Sequence, residues 1–149
     1  MAVGPGVDVV GDLSKELCGL PEGHFSLVIC CSVLEHVERP WMMAENITRL
    51  TKPDGCLYMS VPWVWRYHAY PDDYFRFSWR GIETLFPNFF WTERYYSTTV
   101  IGELVEISEE LKDADNRMAK LVDLGEGRTR KYLPYLMVNM LGIKNRDSP

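Results

Sequence analysis

Phe25 to Cys31 is a near-continuous apolar run, FSLVICC, of the kind found in a strand buried on both faces of a parallel sheet. A polar turn carrying Glu35 and His36 follows. Pro40 suits the first turn of a helix, where its missing N–H costs nothing. Met43, Ile47 and Leu50 then recur at i, i+4 and i+7 and define one apolar helix face. Lys52-Pro53-Asp54-Gly55 ends that helix and turns the chain, and Cys56 to Val61 reads as the next strand, stopped by Pro62. Strand, helix and strand within about 38 residues predict a parallel, right-handed βαβ unit.

The flanking pattern extends this core. Val7 to Val10 is a short β-branched run, and Leu13 to Leu20 predicts a short helix or turn closed by Pro21-Glu22-Gly23. Beyond Pro62 comes an aromatic loop, then a short helix from Trp79 to Phe86 and a strand from Phe89 to Thr99. Leu104, Ile107, Leu111, Met118, Leu121 and Val122 have helical spacing among charged residues, which predicts an amphipathic helix ended by Gly125-Glu126-Gly127. Leu133 to Ile143 predicts a final strand. The expectation is one α/β domain over residues 1–149, mostly parallel in its sheet, with no repeat or linker. In open sheets of this kind ligands sit at the carboxyl ends of the strands. Asp12, Cys31 to His36, and the chain from Pro62 onward share that edge.

Composition narrows the function classes. The chain has 149 residues, 46% hydrophobic and 25% charged, and a net charge of −5, which argues against a nucleic-acid groove. The longest mostly apolar run, Leu27 to Leu34, is too short to span a bilayer, and no basic–apolar leader opens the sequence. The four cysteines, Cys18, Cys30, Cys31 and Cys56, form no C-x-x-C and read as buried free thiols in a reducing cytoplasm.

Candidate chemistry concentrates in two strings. The first is Cys31-Ser32-Val33-Leu34-Glu35-His36. The second is H-x-x-P-x-D-Y-x-R-F, comprising His68, Pro71, Asp73, Tyr74, Arg76 and Phe77. It offers a base, a carboxylate, a phenol and a guanidinium amid aromatic walls, the makings of a pocket for a polar ligand. Arg76 suits a carboxylate or phosphate through paired hydrogen bonds, or an Asp73–Arg76 network that folds the loop back. A metal site on His68 with Asp72 and Asp73 lacks an evident third ligand, so no metal is expected.

The strand with its "VLEHV" turn, Lys52-Pro53-x-Gly55, the strand ending at Pro62 and the aromatic loop resemble the second half of class I S-adenosylmethionine-dependent methyltransferases of the small-molecule, type 11-like kind. The resemblance covers Val7 to Phe86 and implies a Rossmann-like core. It implies S-adenosylmethionine as cofactor, bound by Asp12 and Leu13 on the adenine side and by Cys31 and Ser32 beyond the next strand. Asp12 otherwise reads as a turn or helix cap. It implies His36 and His68 as catalytic residues and Glu35, Tyr74 and Arg76 as contacts to a small-molecule acceptor. His36 reads equally well as a cap of its turn. Methyl transfer is an in-line displacement in which positioning and desolvation supply much of the rate, and a base is required only when the nucleophile arrives protonated.

The chain departs from that family in one large respect. Members open with a strand and a G-x-G-x-G turn, then a helix and a second strand bearing a ribose-binding acid. The 24 residues before Phe25 hold neither, and Ser26 stands where aspartate is usual. In the family's strand order, 3-2-1-4-5-7-6, the absent strands separate the third from the fourth, leaving the Phe25 strand with an unpaired edge. Val7 to Val10 fills that gap, or another chain pairs there in a homodimer or hetero-complex, or Met1 is not the natural start. The expected function is methyl transfer from S-adenosylmethionine to a small molecule by an incomplete or truncated enzyme. The alternative is a non-catalytic binding or assembly module of the same fold.

Overall fold

A computed structural model describes residues 4–69, 72–108 and 117–146. In chain order the elements are β1 (Phe25–Cys31), a 3-10 turn (Leu34–His36), α1 (Pro40–Leu50), β2 (Thr51–Val64), α2 (Trp79–Leu85), β3 (Phe89–Ser97), β4 (Leu104–Glu106), β5 (Lys120–Gly125), β6 (Arg128–Tyr132) and β7 (Leu136–Lys144). β1, β2, β7, β3 and β4 form one sheet in that order, and β5 and β6 form a separate hairpin.

The predicted βαβ unit is present: β1 and β2 pair in parallel, with α1 between them. Pro40 opens α1, and Met43, Ala44, Ile47 and Leu50 form its buried face. The Lys-Pro-Asp-Gly turn survives as an outward loop within β2. Phe25 pairs with Thr51 and Leu27 with Cys56, so residues 52–55 leave the ladder. Asp54 takes a left-handed φ of 59° there. A side chain at Gly55 would stand 2.8 Å from the Lys52 carbonyl and 3.0 Å from that of Phe25, so only glycine fits.

Two segments converge on the carboxyl end of α1. The Gly23 and His24 amides donate to the carbonyls of Arg49 (2.8 Å) and Leu50 (3.1 Å). From the far end of β7, the buried Lys144 ammonium donates to the carbonyls of Thr48 (2.9 Å) and Thr51 (3.2 Å). A cation at a helix C-terminus satisfies carbonyls that the helix leaves without partners and complements its dipole.

One face of the sheet carries the core. Leu57, Met59 and Val61 of β2 and Val138 and Met140 of β7 pack with Ile47 of α1 and Ile82 of α2. Trp91 lies so close over Gly142 that a Cβ there would come within 2.8 Å of the ring. The opposite face bears a polar chain across β2, β7 and β3. Tyr58 Oη and Ser60 Oγ donate to Asn139 Oδ1 at 3.1 and 2.9 Å, and Asn139 Nδ2 donates to Ser97 Oγ at 2.8 Å.

Several expectations need correction. Parallel pairing, expected through most of the sheet, is confined to β1 and β2; the other pairs are antiparallel because β7 runs back between β2 and β3. β1 is buried on one face only: Leu27 is 51% and Ile29 63% exposed. Cys31, on the same face, is exposed, whereas Cys30 is buried; all four cysteines are free. Residues 7–10 form no strand, their valines are exposed, and residues 13–20 hold turns. Pro62 does not stop β2 but sits opposite Met137, beside a register shift, and its carbonyl accepts the Phe77 amide at 3.1 Å.

The helix expected across Leu104 to Val122 gives way to β4 at its start and β5 at its end; Leu111 lies outside the described residues. Gly125, Glu126 and Gly127 all have positive φ and form a hairpin tip, not a helix cap. No helix among the described residues is long and apolar enough to cross a membrane.

Lys144→Met should keep the aliphatic packing but strip two carbonyls of their donor. Urea denaturation should show a loss of about 1–3 kcal/mol.

Candidate functional site

β1 and β2 run in parallel, so the turn after β1 and the loop after β2 emerge at the same edge of the sheet. Ser32, with φ 52°, turns the chain off β1, and its amide remains tied to the Ser60 carbonyl at 2.9 Å. Leu34 is wholly buried and pins the 3-10 turn to the core. The next residue, Glu35, is therefore carried inward, with 1% exposure.

The loop after β2 folds back onto this turn. The carbonyl of Glu35 accepts the amides of Tyr74 (2.8 Å) and Phe75 (3.3 Å). Arg76 and Asp73 lock the loop. Arg76 Nε donates to Trp65 O (3.2 Å), one terminal nitrogen to Asp73 Oδ1 and Phe75 O, and the other to Asp73 Oδ2 (2.7 Å) and Arg66 O (2.9 Å). All five N–H bonds of the guanidinium thus meet protein acceptors. Arg76 is not an anion clamp for substrate in this arrangement; it holds the loop, the second role the sequence offered. The Arg76 guanidinium and the His68 amide, which donates to Asp73 Oδ2 at 2.8 Å, hold the buried Asp73 carboxyl well below its ordinary range despite desolvation.

Two imidazoles are brought together by this docking. His36 Nδ1 lies 2.6 Å from the Asp72 carbonyl, which only accepts, so Nδ1 carries the proton and Nε2 presents a lone pair. His68 Nδ1 lies 3.2 Å from both Asp73 Oδ2 and Arg66 O, which assigns its proton in the same way. The rings meet edge to face with centroids 4.9 Å apart. Glu35 Oε1 is 3.8 Å from His36 Nε2. Glu35 Oε2 is buried with no hydrogen-bond partner. Desolvation pushes the Glu35 carboxyl up, against the pull of His36, His68 and Arg76.

The remaining predicted site residues lie in the loop after β2, at the end of β1 and in a separate loop. Tyr74 is 47% exposed and directs its hydroxyl at Asp72 Oδ2 (3.4 Å). With Trp65, Tyr67, Asp73, Phe75 and Arg76 it lines a shallow cavity of about 290 Å³. Cys31 and Ser32 lie at the end of β1. Asp12 and Leu13 belong to a separate loop, tied to α1 by Asn46 Nδ2 donating to the Leu13 carbonyl at 2.8 Å. Asp12 caps its own turn, accepting from the Ser14 amide (3.0 Å) and hydroxyl (2.6 Å) and pairing with Lys15 (3.1 Å). Pro71 of the loop motif lies outside the described residues. The sequence reading named Glu35 as a substrate contact but gave no sign of its burial; the apolar Val33-Leu34 immediately before it was the available signal.

Two variants test the electrostatics. Asp73→Ala removes a buried acceptor from Arg76 and should cost about 3 kcal/mol in chemical denaturation. Because the folded pKa of Asp73 is depressed, its stabilisation is complete above the ordinary value of 3.8 and is lost as pH falls through the folded value; the variant's acid limb should flatten there. Glu35 has the opposite sign: its raised pKa makes the charged form unfavourable at neutral pH, so Glu35→Gln should leave the melting temperature at pH 7 unchanged or higher.

Comparison with known proteins bears on the fold. Residues 3–59 match the family described as "Methyltransferase domain". No curated protein matches the chain. Among solved structures, a methyltransferase of Bacillus halodurans C-125 is similar at 13% identity and a TM-score of 0.55, over 91% of this chain and 70% of that one. A S-adenosylmethionine-dependent methyltransferase of Thermotoga maritima is similar at 17% identity and 0.56, over 94% and 65%. A chain of the complex between the Haloferax volcanii Trm112 methyltransferase activator and a methyltransferase is similar at 14% and 0.56, over 95% and 62%. The chain spans about two thirds of the length of each. Residues 3–59 thus match the sequence of a methyltransferase domain, and the sheet they open shares the Rossmann-like fold of these solved structures.

Proposed function

We propose that the chain serves methyl transfer from S-adenosylmethionine to a small-molecule acceptor, with the acceptor at the cluster of Glu35, His36, His68 and Tyr74. The observation that carries this reading is the convergence of Glu35, His36 and His68 at the carboxyl edge of the parallel pair β1 and β2, where α/β sheets bind ligands. The four free thiols fit a reducing, cytoplasmic setting.

The chain's residues fit part of the cofactor. Cys31 and Ser32 present the end of β1, and the partly exposed Asp12 carboxylate keeps lone pairs beyond those taken by Ser14 and Lys15, which suits the adenine amino group. When bound, S-adenosylmethionine supplies an electrophilic methyl on a sulfonium. His36 Nε2, its lone pair set by the Nδ1–H to Asp72, accepts the proton of a hydroxyl or amine acceptor as the new bond to carbon forms. Asp73 and Arg76 position His68 and keep the loop shut over the turn. Tyr74, exposed at the rim with its proton directed at Asp72, offers its hydroxyl oxygen as a hydrogen-bond acceptor.

One observation favours the second reading, a binding or assembly module. No strand pairs with the outer edge of β1 among the described residues, and Leu27 and Ile29 stand exposed beside it. A partner at that edge, a second copy or another protein, fits the Haloferax volcanii precedent of a methyltransferase assembled with an activator.

Calorimetric titration with S-adenosylhomocysteine tests the first reading: micromolar binding that weakens on Asp12→Ala is expected. No binding at millimolar ligand would sink it for the isolated chain. If an acceptor is found, His36→Gln should lower kcat about 100-fold or more, as expected for loss of a general base. Sedimentation at high concentration should show a dimer if the β1 edge pairs with itself, and a clean monomer would count against that arrangement.

A further inference from the structure

Glu35, His36 and His68 each place one ligand-capable atom within 4.8 Å of the other two. The chain has three histidines, and two of them meet here although 32 residues separate them. Their outer nitrogens are already committed. Nδ1 of His36 donates to the Asp72 carbonyl, and Nδ1 of His68 faces the Asp73 carboxylate and the Arg66 carbonyl. This is the outer-shell arrangement that orients metal-bound imidazoles, fixes their tautomer and raises their basicity. Both Nε2 lone pairs are left available. The third group is a carboxylate that is 1% exposed, lies 3.8 Å from His36 Nε2, and has one oxygen buried without a partner. The oxygen nearest His36 is Oε1 and the unpartnered one is Oε2; a buried oxygen without a hydrogen bond is costly, and a cation bound by the carboxylate through both oxygens would offset that cost.

From this we infer that Glu35, His36 and His68 form a three-ligand site for a first-row divalent cation, zinc foremost. Two neutral imidazoles and one carboxylate suit a borderline acid better than magnesium or calcium, which take oxygen ligands. Three protein ligands leave a coordination position open. Bonds of about 2.0–2.1 Å require donor atoms roughly 3.4 Å apart in a tetrahedron. The cluster therefore tightens by rotamer adjustment on binding. The sequence reading sought a third ligand inside the His68 loop; the turn after β1 supplies two.

Resting on the methyl-transfer reading, the open position would take an ionisable acceptor oxygen. Coordination lowers the pKa of such a hydroxyl, whose proton then passes to solvent before the oxygen attacks. The acceptor class of the metal-bound site is thus a hydroxyl compound; His36 Nε2, the base of the metal-free site, is a ligand there.

Calorimetry on the chelator-stripped chain with zinc alone tests the site without any methylation assay. One equivalent should bind, and magnesium should not compete. Glu35→Gln, with an unchanged circular dichroism spectrum, should weaken zinc by about 100-fold or more, since even outer-shell changes cost 10–100-fold. His68→Gln should do likewise, while His24→Gln, at the one histidine outside the cluster, should bind as the parent does. Cobalt should give d–d absorption without a thiolate charge-transfer band. Zinc binding lost in Cys31→Ser but kept in Glu35→Gln would overturn the assignment, as would no binding by the parent at millimolar zinc. The two readings fail separately. Zinc bound without S-adenosylhomocysteine leaves this site standing and the cofactor reading refuted, and the reverse result does the opposite.

Discussion

The candidate site depends on the pairing of Asp73 with Arg76. A buried carboxylate and a guanidinium with all five N–H bonds engaged strap the loop after β2, tying the Trp65 and Arg66 carbonyls to Asp73 and Phe75. The same carboxylate receives the His68 amide and faces its ring. One ion pair therefore closes the loop and sets the orientation of an imidazole. The Glu35 carbonyl, taking the amides of Tyr74 and Phe75, is the anchor point on the other side. Such a buried pair contributes specificity of arrangement more than net stability, because desolvation offsets much of its attraction.

Beneath the strap, the sheet explains why these loops meet. β1 and β2 are parallel, so their carboxyl ends lie side by side and the chain must leave both at one edge. β7 then runs antiparallel through the middle of the sheet and delivers Lys144 to the carboxyl end of α1 at the opposite edge. The site end and the stability end of the domain are thus separated by the length of β2. Substitutions at Lys144 or around Gly55 act on the scaffold, and those at residues 72–76 act on the site.

The two faces of the sheet differ in kind. The helix-covered face is apolar and closely packed, down to the ring of Trp91 on the backbone of Gly142. The other face combines the Tyr58–Asn139–Ser97 chain with exposed Leu27, Ile29 and Phe90. Its apolar exposure is greatest beside the free edge of β1, which is where a partner would bring the most apolar area out of water.

The local chemistry of the sequence determined the elements whose signals are local. Pro40 with the 3.6-residue spacing of Met43, Ile47 and Leu50 marked α1, the Lys-Pro-Asp-Gly turn marked its end, and the apolar runs marked β1, β2, β3 and β7. Ser78 shows why such signals work: its hydroxyl caps α2 by accepting the Gly81 amide, a contact between residues three apart. The sequence also assigned the candidate side chains, Glu35, His36, His68, Tyr74 and the Asp73–Arg76 pair, to one sheet edge. Only tertiary structure decided what they do there. Burial of Glu35, the meeting of His36 with His68, and the commitment of Arg76 to the loop depend on contacts between segments that no periodicity encodes. Likewise, at the two ends of the Leu104 to Val122 spacing strands formed, because β4 gained a ladder from β3 and the Gly125–Gly127 tip folded β5 onto β6. The interleaving of β7 between β2 and β3 is non-local in the same sense, and it made the sheet mostly antiparallel.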